Sequence, residues 1–208
     1  MVRIVIFAKA PEPGKAKTRL IPALGANGAA QLARRMLAYT LLQAASAGAD
    51  SVELCATPSF DDGRWAGVDL PASVICTAQG DGDLGEKMAR AVDRVSTTTR
   101  HAAMLIGTDC PALDAPLLTE AALQLASHDA VMIPAADGGY VLIGLKAPCP
   151  QIFTGMAWST SSVAFETLRR LALLGLSVWL GPTLHDIDEP ADLVHLPEDF
   201  NTSPTVNI

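Results

Sequence analysis

Residues 3–19 read Arg-Ile-Val-Ile-Phe-Ala-Lys-Ala-Pro-Glu-Pro-Gly-Lys-Ala-Lys-Thr-Arg, and they indicate both the fold class and the position of a candidate site. The apolar run at residues 4–8 predicts a short buried strand that ends in a loop rich in proline and glycine. The basic residues of this loop are Lys9, Lys15, Lys17 and Arg19. A strand that leads into such a loop and then into a helix is a common phosphate-binding arrangement in α/β proteins.

The basic character of this loop contrasts with the acidic chain around it. The formal net charge is -7, and the sequence pI is about 5.0. A local positive site on an acidic protein favours a specific anionic ligand and argues against nucleic acid as a partner, because nucleic-acid binding needs a broad basic face. A solvated basic turn is the alternative interpretation. The loop is not a P-loop, since Ala16 follows Gly14-Lys15 and the first glycine of that motif is missing.

Short apolar runs and helical patterns alternate along the rest of the chain, which predicts a single α/β domain with a mainly parallel sheet. Helices are predicted at residues 28–47, 84–95 and 162–173, and further strands at 51–57, 73–77, 102–107, 130–134, 140–145 and 176–180. Asp137-Gly138-Gly139 separates two of these strands and suits a hairpin, so an antiparallel part is expected after residue 130. The domain is predicted to span residues 1–200, followed by a frayed tail at 201–208.

The bulk composition narrows the class of protein further. Half of the 208 residues are apolar, yet no apolar stretch reaches membrane-spanning length, so membrane insertion is not expected. The N-terminus lacks a signal-peptide pattern. The cysteines, Cys55, Cys76, Cys110 and Cys149, form no CxxC pair, which is typical of reduced thiols and implies no zinc site. We therefore expect a cytoplasmic protein.

Acidic residues follow several of the apolar runs, at the edge of the sheet where α/β proteins bind ligands. Asp109 follows the run at 102–107 and suits Mg²⁺ or Mn²⁺ bridging ligand phosphates, or alternatively the cap of a turn. Asp186 or Asp188 is a candidate second metal ligand, in an acidic cluster that suits a helix start equally well. Asp137 is a substrate-facing acid, a further metal contact or a residue of a plain hairpin turn. Cys110 is interpreted as a buried structural thiol, because no histidine is near it in sequence.

Glycines beside the apolar runs predict close approach of a nucleotide to the backbone. Gly14 lies in the basic loop, and Gly107 ends the run before Asp109. Gly85 follows Leu84, whose side chain is expected to pack on the base, although a flexible acidic loop is an equally good interpretation of this segment. The predicted nucleotide-binding residues are Lys9, Gly14, Lys15, Lys17, Arg19, Leu84, Gly85 and Gly107.

Residues 7–20, Phe-Ala-Lys-Ala-Pro-Glu-Pro-Gly-Lys-Ala-Lys-Thr-Arg-Leu, resemble the opening of a bacterial family of glycosyltransferase-A-like proteins, often described as glycosyltransferases of the arsenosugar-biosynthesis type. The resemblance continues through residues 82–88, 107–111, 137–140, 158–160 and 186–193, in the expected order. Phospholactate guanylyltransferase and the molybdenum-cofactor nucleotidylyltransferases look like cousins of this family.

This resemblance implies a three-layer α/β/α nucleotide-diphospho-sugar transferase fold, which is Rossmann-like and has a mainly parallel mixed sheet. It also implies Mg²⁺ or Mn²⁺ as cofactor. By position, Lys15, Lys17 and Arg19 match the phosphate-facing motif, while Asp109 and Asp188 match metal-binding aspartates. The chain departs from an Asp-x-Asp pair at residue 109, and its loop lacks the Gly-x-Gly-Thr-Arg-Leu form of sugar nucleotidylyltransferases.

Three functional hypotheses follow. The main one is a metal-dependent transferase that takes a nucleotide sugar and a small-molecule acceptor, with Asp109, Asp137 and Lys15 in catalysis. The second is a nucleotidylyltransferase that joins an NTP to a phosphorylated small molecule and releases pyrophosphate. The third is a non-catalytic nucleotide-binding module.

Overall fold

The computed structural model describes residues 1–197 and 200, so the predicted tail at 201–208 lies outside the described residues. The described strands are β1 (Val2–Lys9), β2 (Ser51–Thr57), β3 (Ile75–Ala78), β4 (Ala102–Ile106), β5 (Ala130–Pro134), β6 (Tyr140–Leu145) and β7 (Val178–Leu180). The described α-helices are α1 (Ile21–Ser46), α2 (Leu84–Thr99), α3 (Ala115–Ser127) and α4 (Val163–Leu173).

All seven strands form one sheet in the order β3-β2-β1-β4-β6-β5-β7. Its pairs are parallel except for those that β6 makes with β4 and with β5. The predicted fold class, a mainly parallel mixed sheet with an antiparallel part after residue 130, is confirmed. No described helix combines the length and the apolar character that a bilayer crossing needs.

Helices cover both faces of the sheet and complete the three predicted layers. Side chains of α1 and α3, among them Leu37, Leu41, Leu118 and Leu125, pack in one hydrophobic cluster. Side chains of α2 and α4, including Met88, Val92 and Leu171, pack in a second cluster. Strand β1 contributes to both, because successive side chains of a strand point to opposite faces: Ile4 and Ile6 lie in the first cluster and Val5 in the second.

Two helices are longer than their apolar patterns indicate. Helix α1 starts at Ile21 rather than at residue 28, but Gly25 is non-helical (φ 69°, ψ 164°) and separates a short first piece from the periodic part. Helix α2 continues past the predicted end at residue 95 to Thr99. Its last turn lacks apolar periodicity, and the hydroxyls of Thr97 and Thr98 donate to helix carbonyls instead.

Ionised side chains from β1, β2 and α2 form a buried cluster that also includes a hydroxyl from β3. No periodic pattern in the sequence predicts it. Glu53 on β2 is fully buried and pairs with the guanidinium groups of Arg3 and Arg94. The Glu53 carboxylate also accepts a hydrogen bond of 2.8 Å from the Thr77 hydroxyl. Because a buried charge requires partners, this cluster links three adjacent strands to α2.

Replacing Glu53 with Gln should lower the free energy of unfolding by about 3 kcal/mol, because two arginines would lose their shared counter-charge in a buried place. Urea denaturation measures the change, with the exposed Glu120→Gln on α3 as the matched control. Equal effects of the two substitutions would contradict this account of the cluster.

Candidate functional site

The basic loop leaves β1 at Lys9 and folds back against the C-terminal part of the chain. Gly14 takes a positive φ of 79°, and Lys17 adopts the left-handed region at φ 46°. The following turn, Thr18–Leu20, buries Leu20 completely in a hydrophobic cluster with Ile187. Burial of these two apolar side chains therefore anchors the end of the loop beside the acidic segment around residue 188.

Lys17 connects the two aspartates that were predicted as metal ligands. Its Nζ lies 2.6 Å from Asp109 Oδ1 and 2.9 Å from Asp188 Oδ1, and it also donates to the Ile187 carbonyl at 2.6 Å. The Lys17 side chain is only 8% exposed. Burial by itself would lower the pKa of Lys17, but the charges and hydrogen bonds of Asp109 and Asp188 outweigh it and raise that pKa.

The backbone also holds the two aspartates together, independently of Lys17. The Ile187 N–H donates to the Asp109 carbonyl at 2.7 Å, and the Ile187 side chain is fully buried. The side chains of Asp109 and Asp188 are 48% and 40% exposed. Both carboxylates therefore remain accessible to a ligand.

A cavity of about 400 Å³, here called the main cavity, opens at the carboxyl ends of β1 and β4. The residues that line this cavity include these predicted site residues: Lys9, Lys15, Lys17, Arg19, Leu84, Asp109 and Asp188. The Lys15 ammonium pairs with Glu12 at 2.8 Å, and that lysine is more than half exposed. The structure thus brings the basic loop and both candidate metal ligands into one cleft.

Three predicted glycines are not among the described residues that line the main cavity: Gly14, Gly85 and Gly107. Gly85 is buried, and a Cβ there would lie 2.6 Å from the Phe153 carbonyl oxygen and 3.0 Å from the Trp158 ring. Tight packing between α2 and this segment therefore explains Gly85. A Cβ at Gly107 would meet nothing closer than 3.9 Å, so the space beside its backbone is open.

Gln79 lines the main cavity, although the sequence analysis did not select it. Its side-chain Nε2 donates to the carbonyls of Ala8 (3.2 Å) and Cys55 (3.0 Å). Both amide hydrogens are thus used, and the remaining polar group of this buried side chain is an acceptor oxygen. Its position one residue after β3, at the ligand-binding edge of the sheet, is the signal that could have identified it.

A second cavity of about 360 Å³, here called the acidic cavity, shares Arg19 and Asp188 with the main one. Its remaining charged or titratable lining residues are Asp137, His185, Asp186, Glu189 and Asp192. Asp192 accepts from the N–H groups of Asp188 and Glu189, which positions this segment. Burial, followed by the charges of Asp137, Asp188 and Asp109, raises the pKa of Asp186.

Two further residues from the sequence analysis, Asp137 and Cys110, lie in surroundings that suit structural roles. Asp137 Oδ1 accepts from the Gly139 N–H at 2.7 Å in the turn between β5 and β6. Cys110 is buried, and burial raises its pKa to about 11, which matches the interpretation as a structural thiol.

Asp109 and Asp188 offer two exposed carboxylates to a divalent cation. Among residues 1–197 and 200, no cluster of three or more His, Cys, Asp or Glu side chains could hold a metal ion by itself. Mg²⁺, however, is commonly held by one or two carboxylates together with substrate phosphates. Asp109 and Asp188 therefore fit a cation that shares its coordination with a phosphate ligand.

The protein has the α/β fold of nucleotide-diphospho-sugar transferases and cytidylyltransferases, and its class is that of nucleotide-dependent transferases. A protein from Desulfovibrio desulfuricans, provisionally assigned as a nucleotide-diphospho-sugar transferase, has 33% sequence identity and a TM-score of 0.86. The match covers 97% of this chain and 89% of that one. The chain belongs to the DUF2064 family, described as an uncharacterized protein conserved in bacteria, whose model matches residues 40–160.

More distant solved structures share the fold. The 4-diphosphocytidyl-2C-methyl-D-erythritol synthase of Anaerococcus prevotii has 11% identity and a TM-score of 0.62, with coverage of 97% of this chain and 99% of that one. A Mycobacterium tuberculosis protein in complex with manganese has 16% identity and a TM-score of 0.54, with coverage of 95% and 98%. No curated protein matches the chain significantly.

Replacing Gly85 with Ala should lower the free energy of unfolding by about 1–3 kcal/mol, because the new methyl group would overlap the Phe153 carbonyl. Chemical denaturation measures the loss. Gly63→Ala is the control, since a Cβ there meets nothing within 4 Å. A fully stable Gly85→Ala variant would show that packing does not require this glycine.

Proposed function

We propose that the protein is a metal-dependent transferase that uses a nucleotide-sugar donor and a small-molecule acceptor. The observation that carries this proposal is the main cavity, where the basic loop faces Asp109 and Asp188 at the carboxyl edge of the sheet. Cations and a carboxylate-bound metal in one cleft are suited to a diphosphate.

Donor binding is assigned to residues that line the main cavity. Lys9, Lys15 and Arg19 would neutralise the diphosphate, and Arg19 can make a two-pronged contact with one phosphate. The exposed Leu84 side chain provides an apolar surface for the base. Gln79 would offer its acceptor oxygen to an N–H group of the nucleoside.

Asp109 and Asp188 would hold Mg²⁺ or Mn²⁺, which supplies stabilisation of the negative charge on the diphosphate. Lys15 would add to this stabilisation as the nucleoside diphosphate departs. Its contact with Glu12 is exposed, so a phosphate can compete for the ammonium.

The acceptor is assigned to the acidic cavity, which shares Arg19 and Asp188 with the donor site. An acceptor hydroxyl would attack the anomeric carbon, the bond from that carbon to the diphosphate oxygen would break, and Asp137 would receive the hydroxyl proton. The clustered carboxylates disfavour a phosphorylated acceptor by charge repulsion. This charge pattern favours glycosyl transfer over the nucleotidylyltransferase hypothesis.

The comparisons support the same class of reaction. The relative from Desulfovibrio desulfuricans is provisionally assigned to nucleotide-diphospho-sugar transfer, and the fold also occurs in a structure with bound manganese. The resemblance of residues 7–20 favours, within this class, a glycosyltransferase of the arsenosugar-biosynthesis type.

A thermal-shift screen tests the proposal with UDP-, GDP- and ADP-sugars and the corresponding NTPs, each with and without Mn²⁺. A ligand that binds only the folded protein raises its melting temperature. We expect a shift with at least one nucleotide sugar that increases with Mn²⁺, followed by release of the nucleoside diphosphate when an acceptor is present. Pyrophosphate release from an NTP, without any use of nucleotide sugars, would contradict the proposal in favour of nucleotidyl transfer.

Replacing Asp109 with Asn should lower turnover at least about 100-fold, because the variant loses a metal-binding carboxylate, while the fold is kept. Steady-state kinetics with the donor found in the screen measures the loss, and circular dichroism checks the fold. The exposed Asp93→Asn on α2 is the matched control. Full activity of the Asp109 variant would remove the proposed metal role.

A further inference from the structure

Lys17 differs from the other bases of the loop because its ammonium is held by two carboxylates and a backbone carbonyl. An ammonium group has three hydrogens to donate. Lys17 Nζ donates hydrogen bonds to the Ile187 carbonyl and to Asp188 Oδ1, and it also forms an ion pair with Asp109 Oδ1. Lys17 therefore cannot bind a phosphate in the usual way unless it gives up at least one of these contacts.

The backbone segments that carry Asp109 and Asp188 are joined by contacts in which Lys17 takes no part. The hydrogen bond from the Ile187 N–H to the Asp109 carbonyl joins the two segments, and the buried Ile187 side chain anchors the contact. The two Oδ1 atoms cannot be further apart than the sum of their distances to Lys17 Nζ, which are 2.6 and 2.9 Å. Lys17 thus supplies positive charge to two carboxylates whose backbone segments are already joined.

We infer that Lys17 is a tethered cation that occupies the Asp109–Asp188 pair in the nucleotide-free protein and excludes divalent metal until a phosphate-bearing ligand binds. The inference rests on the proposed role of these aspartates as metal ligands. Beyond that role, Lys17 acts on the metal site through its charge and its contacts.

Electrostatics explains why occupation by Lys17 opposes the metal. A divalent cation next to the same carboxylate oxygens would meet the like charge of the ammonium at a few ångströms, in a place where Lys17 is almost fully shielded from solvent. Lys17 also lines the main cavity. A diphosphate there would attract the ammonium and contribute oxygen ligands to the metal. The ligand and the metal would therefore increase each other's affinity.

Isothermal titration of MnCl₂ into metal-stripped, nucleotide-free protein tests this inference. Lys17→Met and Lys17→Gln both remove the charge, and each should bind Mn²⁺ at least about tenfold more tightly than the unmodified protein. Lys17→Arg keeps the charge and should bind as weakly as the unmodified protein. Lys15→Met is the matched control, because it removes a charge from the same loop but not from the pair.

The double variant Lys17→Met/Asp109→Asn should lose the gained affinity, since it lacks one of the two carboxylates. Circular dichroism melting curves verify that each variant is folded. A gain that persists in the double variant, no gain in either neutral Lys17 variant, or equally tight Mn²⁺ binding by the unmodified protein would each overturn the inference.

The result is separable from that of the proposed function, because no nucleotide is present in the titration. If the protein does not use nucleotide sugars, the proposed reaction is contradicted, but the Mn²⁺ affinities of the Lys17 variants still decide the role of Lys17. Conversely, if the neutral Lys17 variants gain no Mn²⁺ affinity, the tethered-cation role is contradicted. The turnover of Asp109→Asn still tests the proposed metal role in catalysis.

Discussion

Parallel pairing of β1 with β4 is the constraint on which the candidate site depends. Because the two strands are neighbours that run in the same direction, their carboxyl ends lie at the same edge of the sheet. The chain leaves β1 into the basic loop and leaves β4 toward Asp109. The basic loop and the Asp109 carboxylate therefore lie side by side, although they are about a hundred residues apart in sequence. The segment around Asp188 then attaches to this edge through the Ile187–Asp109 hydrogen bond.

Much of the fold could be predicted because local patterns specify it. The apolar run of β1, the periodic part of α1 and the turn at Asp137 each carry a signal within a few residues. The exits of the strands then located the candidate site, since this edge is the general ligand-binding edge of such sheets. The end of α2 was harder to predict, because hydroxyl groups in its last turn replace the apolar pattern.

Long-range contacts could not be predicted from the same patterns. Nothing near Glu53 indicates that Arg3 and Arg94 converge on it from another strand and from a helix. Lys17 looked equivalent to Lys15 in sequence, yet one ammonium is buried between two aspartates and the other is exposed beside Glu12. Gly85 has a flexible-loop composition around it, but packing against Phe153 explains the glycine. Each difference is decided by a partner far away in the chain.

The turn between β5 and β6 forms part of the wall of the acidic cavity, and its backbone has little freedom. A Cβ at Gly138 would lie 2.1 Å from the Ser161 carbonyl oxygen, and the Ala164 N–H at the start of α4 donates to the Gly138 carbonyl. An inserted residue or a larger side chain there would have to displace the start of a helix. Evolutionary divergence in the compounds accepted by this family should consequently accumulate at other lining residues of the acidic cavity, such as His185 and Glu189, while the turn retains its length.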